Sequence, residues 1–331
     1  MRKQVATWDI DELDREILAA LDFGARQGLA AITEKVDISS QLLDYRLKSL
    51  RKRGVLIGFR PVIDSFKLGF FYYRLFARIS DTSPRRVAKI AAFARKTRQV
   101  LWCYQMRGRY NLVLSFWARS VREFEELSRS FLAQHGDVLS EYNRDQVYRL
   151  RHISIDRLMG KRASRVIDIE ENPETFAIDQ LDQAILRALT LDSRQPFNSL
   201  AKACDTSDKV AAYRIERLEK RGIIKGYRPI INWPLLGRFH WKLFIRLNLS
   251  VHNVVERVLE YIQKSPELFC VLYGIGFPGE IDIEIVVDSH SGVFEYMEEL
   301  QAALPSCVVG YEQHEFTAVH KIDYLPLLCK G

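Results

Sequence analysis

YRLKSLRKRGVLIGFRPVID at residues 45–64 is answered by YRIERLEKRGIIKGYRPIIN at residues 213–232. Aligned without gaps at an offset of 168, roughly 22 of 57 positions between Leu13 and Gly69 are identical to their partners. LDREILAAL at 13 meets LDQAILRAL at 181 in the same frame. Beyond Gly237 the match weakens, but GRYNLVLSF at 108 still resembles GEIDIEIVV at 279, at an offset about three residues longer. A unit of ~160 residues therefore occurs twice.

Each unit reads in two parts. In the first part, Leu13, Ile17, Leu18 and Leu21 fall at helical spacing, so the pattern predicts a helix over Asp11 to Leu21. Leu29 to Val36 and Ser40 to Arg53 follow as two more helices, separated by Asp37-Ile38-Ser39. Ser39 is placed to cap the third helix, and Gly54 to stop it. That is a helix-turn-helix, repeated at Leu200 to Cys204 and Asp208 to Arg221. VLIGFRPVI and IIKGYRPII then supply short β-rich segments. The second part alternates strand, helix, two strands, helix, strand, a ferredoxin-like βαββαβ order, over residues 71–150 and again over 240–319. The fold class expected is α+β, with boundaries at 8–64 and 65–163 for the first copy, an acidic linker at 164–176, and 177–232 and 233–328 for the second.

Composition narrows the function classes. The 331 residues are 47% hydrophobic and 27% charged, an ordinary globular balance. Five cysteines without a CxxC pair indicate neither a disulfide framework nor a Cys-rich zinc site, and seven histidines form no HExxH or i, i+4 pair, so no metal and no cofactor are expected. The start reaches acidic residues before any apolar run of signal-peptide length, and no window approaches ~18 uncharged apolar residues, so a cytoplasmic protein without membrane association is expected. GIGFPG at 274–279 lacks the Lys-Ser/Thr of a P-loop and reads as a loop between strands. The net charge of +7 hides an opposition: residues 65–165 hold 21 Lys+Arg against 8 Asp+Glu, whereas 233–331 hold 7 against 13.

The helix-turn-helix with LDREIL, the turn serine, YRLKSLRKRGV, GFRPVID and a later GxY(N/D) turn resembles the Lrp/AsnC family of feast/famine transcription regulators, here as a tandem duplication over about residues 8–328. The resemblance implies a sequence-specific regulator of double-stranded DNA and a sheet domain for dimerisation and for an amino acid or other small effector. On that basis Ser40, Gln41, Asp44, Tyr45 and Lys48 are candidates to meet base edges, as are Lys209, Ala212 and Tyr213 in the second copy. Arg46, Arg51 and Lys52, with Arg214 and Arg217, are candidates for phosphates. The effector candidates are the turn residues Gly108, Tyr110 and Asn111, with Gly279 and Asp282; Asn111 lacks the acid, and Ile281 the phenol, of the family pattern. Because opposite fields favour pairing unlike copies, an intrachain pseudo-dimer is expected, with higher homo-oligomers left open. Two other classes stay in view. The same two-part unit, also found fused, resembles the subunits of siroheme decarboxylase, although LWCYQMRGRYN and FCVLYGIGFPGEID carry no histidine where those enzymes have one. A scaffold that no longer binds DNA is the other, supported by Asp44, Asp208 and Glu216 on the recognition helices.

Overall fold

The computed structural model describes residues 9–161, 165–172 and 174–325, and the chain divides into two compact units. The first gathers residues 1–64, 153–167 and 177–239, so both helix-turn-helix copies lie in it; the second gathers residues 65–152, 168–176 and 240–331.

In the first unit, α1 (Glu12–Leu21), α2 (Leu29–Val36) and α3 (Ser40–Lys52) lead into β1 (Leu56–Ile63), and α6 (Gln180–Leu191), α7 (Phe197–Ala203) and α8 (Asp208–Lys220) lead into β7 (Ile224–Ile231). The caps lie where the sequence puts them. Ser39 Oγ accepts from the Leu42 N–H at 3.2 Å, and Ser207 Oγ accepts from Val210 at 3.3 Å. The turns use left-handed Asp37 (φ 55°) and Asp205 (φ 50°), and Gly54 and Gly222 follow α3 and α8 at φ 74° and 66°. Ile17, Leu18, Leu21, Ile32, Leu43 and Leu50 are buried, as are their counterparts Ile185, Leu186, Leu189, Leu200 and Leu218. β1 and β7 pair antiparallel, with Arg60 opposite Arg228, and join the copies in one two-stranded sheet.

The second unit contains β2 (Phe71–Ile79), α4 (Pro84–Lys96), β3 (Val100–Arg107), β4 (Leu112–Ala118), α5 (Val121–His135) and β5 (Leu139–Ile153). Their later counterparts are β8 (Phe239–Leu247), α9 (Val254–Ile262), β9 (Leu268–Ile275), β10 (Ile281–Val287), α10 (Gly292–Ala303) and β11 (Val308–Ile322). The strands run β2-β4-β3-β11-β8-β10-β9-β5, and β5 also pairs with β2. The sheet thus closes on itself through β5, and the edges of the two halves pair with each other. The seams are β3 against β11, with Arg107 opposite Glu315, and β5 against β9, with His152 opposite Cys270. What the sequence suggests as two separate sheet domains is one continuous antiparallel sheet with helices.

Alternation on β2 shows how the layers form. Tyr73, Leu75, Ala77 and Ile79 pack with Ile90 and Phe93 of α4 and Phe124 and Phe131 of α5. On the opposite face, Phe76 joins Met106, Tyr110, Val113 and, from the other copy, Phe244. The acidic stretch expected to be only a linker contains β6 (Val166–Glu170), beside β5. Asp168 receives Arg151 Nε at 2.8 Å and Arg149 Nη2 at 2.8 Å; burial works against its charge, but the two guanidiniums hold its carboxyl at about 2.

Candidate functional site

The exposed face of α3 carries Ser40, Gln41, Asp44, Tyr45, Lys48, Arg51 and Lys52. Tyr45 is 67% exposed and Tyr213 61%, so neither ring is packed away and both stand clear of the helix core. Lys209 is exposed beside Tyr213, and Ala212 is half-buried. Two of the acids on these helices are neutralised locally: Asp44 pairs with Lys48 at 2.6 Å and Glu216 with Lys220 at 2.7 Å.

Four of the phosphate candidates are otherwise engaged. Arg46 Nη1 donates to Asp11 Oδ2 at 2.5 Å and to buried Asp14 at 3.4 Å. In the second copy Arg214 pairs with Asp179 and Asp182, and Arg217 Nη2 donates to Asp182 at 2.5 Å. These arginines clamp the third helix onto the start of the first. Arg51 meets Asp192 of the other copy at 3.3 Å and Lys48 is held by Asp44, which leaves Lys52 on α3 without a carboxylate in ion-pair range among the described residues. The clamp was legible: Asp14 and Arg46 recur as Asp182 and Arg214 with unchanged spacing. Arg46→Ala is expected to lower stability by about 2 kcal/mol, because buried Asp14 loses a charge-assisted partner. Urea unfolding of Arg46→Ala and Arg214→Ala checks this. Unchanged midpoints with weakened DNA binding would instead make both arginines phosphate ligands.

The turns GRYN at 108–111 and GEID at 279–282 are built differently from each other. A Cβ on Gly108 would stand 2.4 Å from the Gln313 carbonyl oxygen, and one on Gly279 would stand 2.6 Å from that of Ile245, so both glycines are required by close backbone approach. Asn111 is structural: its Oδ1 accepts from the Ile79 N–H at 2.8 Å, and its Nδ2 donates to the Ile79 carbonyl at 2.9 Å. Tyr110 is buried and stacked on the His314 ring, with centroids 5.7 Å apart. His314 has no exposed surface, and among the described residues no group hydrogen-bonds either ring nitrogen. Burial pushes its pKa down to about 4, and Lys242 and Arg109 push the same way.

Asp282 points into a charge cluster inside the closed sheet. Arg74 reaches Asp282 at 2.7 Å through Nη1 and holds Asp145 through Nε at 2.8 Å and Nη2 at 2.9 Å. Lys242, at the repeat position of Arg74, contacts Asp282 at 2.7 Å and Glu284 at 3.1 Å, and His240 Nε2 lies 3.0 Å from Glu284. Burial pushes Asp145 up to about 6 against the pull of Arg74. Glu284 goes the other way, since Lys242 and His240 outweigh its burial and hold it below the ordinary range. Asp282 is thus an internal counter-ion that ties the second copy to Arg74 of the first. Our motif reading did not find this cluster. Its signal is a basic residue at the same place, flanked by apolar and aromatic residues, in the two strands FYYRLFARI and FHWKLFIRL.

Comparison with known proteins places these elements. The family model for the Lrp/AsnC ligand binding domain matches residues 75–140, and a winged helix-turn-helix DNA-binding model matches residues 178–225, one match on each copy. The chain has the architecture of the Lrp/AsnC family. With its winged helix-turn-helix and ligand-binding domains, it is of the Lrp/AsnC transcriptional regulator type. A proline dehydrogenase transcriptional activator of Rhizobium radiobacter is 27% identical over 122 residues, 37% of this chain and 78% of that protein. The regulatory protein AsnC of Haemophilus influenzae is 35% identical over 99 residues, 30% of this chain and 65% of that protein. These Lrp/AsnC-type relatives are regulators rather than enzymes. At the level of fold alone, the chain is similar to the siroheme decarboxylase NirDL, with a TM-score of 0.61 and 13% identity over 94% of this chain and 93% of that one. Among the described residues, no helix is long and apolar enough to cross a membrane.

Proposed function

We propose that this chain is a sequence-specific, DNA-binding transcription regulator made of two winged helix-turn-helix copies and two ferredoxin-like domains, folded as an intrachain pseudo-dimer equivalent to one ordinary dimer of its relatives. The observation that carries the reading is the pairing of unlike copies, β1 with β7, β3 with β11 and β5 with β9. Each chain then presents two recognition helices, α3 and α8. Their outward residues differ at Gln41 against Lys209, Asp44 against Ala212 and Lys48 against Glu216. Tyr45 and Tyr213 are common to both, on open surface. An amino acid or similar small effector is the ligand proposed for the sheet domains, on the strength of the ligand-binding family model over residues 75–140.

Unlike helices on one chain favour an asymmetric pair of half-sites. Selection from random duplex DNA is expected to enrich two different half-sites in fixed relative orientation. Perfect palindromes as the sole high-affinity products would contradict this, unless two chains are shown to bind through the same copy.

One observation favours a second reading. His314 reaches the GRY turn from a distant strand with both ring nitrogens unpartnered among the described residues, in a fold similar to that of a siroheme decarboxylase. Absorption spectra separate the two. A regulator leaves the Soret band of added siroheme unshifted, whereas a strong shift supports the enzyme.

A further inference from the structure

The outer face of α4 carries Arg85, Lys89, Arg95 and Lys96, with Arg98 just beyond its end, and all five are exposed. None of the five is within ion-pair distance of a carboxylate among the described residues, and α4 contains no acidic residue. The contrast on the same helix is Arg86, which is held by Asp81 at 3.5 Å and Asp137 at 2.6 Å. Arg85, Lys89 and Lys96 follow at i, i+4 and i+11 and so form one stripe about 16 Å long, with Ala88 and Ala92 beside it. The second copy does not repeat the stripe. At the corresponding positions it has Asn253, Arg257, Gln263, Lys264 and Pro266, and Lys264 is paired with Glu260 at 2.9 Å.

We infer that this ridge is a second nucleic-acid contact, which holds the phosphate backbone of duplex DNA without reading sequence. The inference rests on the DNA-binding reading above and extends it to a surface outside the recognition helices. Three observations select the partner. Unpaired cations at close spacing match a backbone that carries one charge per ~1.7 Å of duplex axis. A lipid surface would need a free apolar face, but Ile90, Phe93 and Ala94 of α4 are already buried in the core. A protein partner would need an aromatic or aliphatic anchor, and between the cations the ridge offers only alanines. Small side chains there allow a phosphate to approach the helix closely.

The test compares the full chain with R85Q/K89Q/K96Q on a 25-bp duplex carrying the selected site and on a 150-bp duplex with that site at its centre. Affinities are measured by fluorescence anisotropy across a salt series, with thermal unfolding as the control for folding. On the long duplex, the slope of log K against log salt is expected to become shallower by about 2–3 in the variant, because each lost phosphate contact contributes about 0.9. The short duplex should show no change. Equal slopes for both proteins on the long duplex overturn the inference, and so does an equal loss on the short one, which would place the ridge within the primary footprint. Failure of the unaltered chain to bind either duplex defeats the DNA-binding reading itself, and the ridge proposal with it.

Discussion

Arg74→Met is expected to lower stability by about 3–5 kcal/mol, since it leaves Asp145 buried without its ion-pair partner and Asp282 with Lys242 alone. All three side chains are at most 1% exposed, so water cannot take over the role. In a unit of this size, such a loss moves the thermal midpoint by roughly 10 °C. The change should act on the whole closed sheet, because Arg74 comes from the first copy and Asp282 from the second. Arg74→Lys should recover part of the loss: an ammonium keeps the charge but cannot hold two oxygens of Asp145 as the guanidinium does. Calorimetry measures it. A loss below about 1 kcal/mol for Arg74→Met would show that the cluster is not a lock.

His314→Phe is expected to remove an acid-sensitive component of stability. In the folded chain burial holds the His314 pKa at about 4, whereas an unfolded histidine titrates near 6.5. Between those values the unfolded state binds the extra proton, so stability falls as pH drops through about 6.5 toward 4. Asp145, pushed up to about 6, works in the opposite sense: it takes up its proton in the folded state first, so stability rises as pH falls from about 6 toward the ordinary aspartate value. The two effects mask each other in the unaltered protein, and the difference between variant and parent isolates His314. Going from pH 7.5 to pH 5, that difference should move by roughly 2 kcal/mol in favour of His314→Phe. Urea unfolding at the two pH values decides it. A difference independent of pH would mean that His314 titrates normally in the folded chain.

Much of the fold was legible because the repeat shows each element twice. α2 ends at Val36, and α3 runs from Ser40 to Lys52 between the capping Ser39 and Gly54, as hydrophobic periodicity and turn residues predict. β6 was hidden because Val166–Glu170 is short and acidic; what makes it a strand is a tertiary contact, Asp168 between Arg149 and Arg151. The closure of the sheet was not visible in local pattern either. It depends on register between strands more than 120 residues apart, such as Gln146 opposite Ile275, and only the opposite charge of the two halves hinted at the pairing.

Legibility of the site was uneven for a related reason. Exposure of Gln41, Tyr45 and Lys48 follows from helical phase, which a sequence carries. The partner of a charged side chain does not follow from phase. Arg46 and Arg214 look like Lys48 and Lys52 in a basic helix, yet Asp11, Asp14, Asp179 and Asp182 take them inward. Asp282 looked like an open acid in a turn and is instead enclosed by Arg74 and Lys242. In both places the deciding fact was an acid–base pair far apart in sequence, repeated between the copies only for the arginine clamp.

The central claim, that two unlike recognition helices on one chain make a DNA-binding regulator, is tested most directly by electrophoretic mobility shift with the full chain and the DNA upstream of its own gene. At low salt the account predicts a discrete complex that survives excess unrelated competitor DNA and weakens steeply as salt rises. No complex at any salt, or one abolished equally by any competitor, would contradict it.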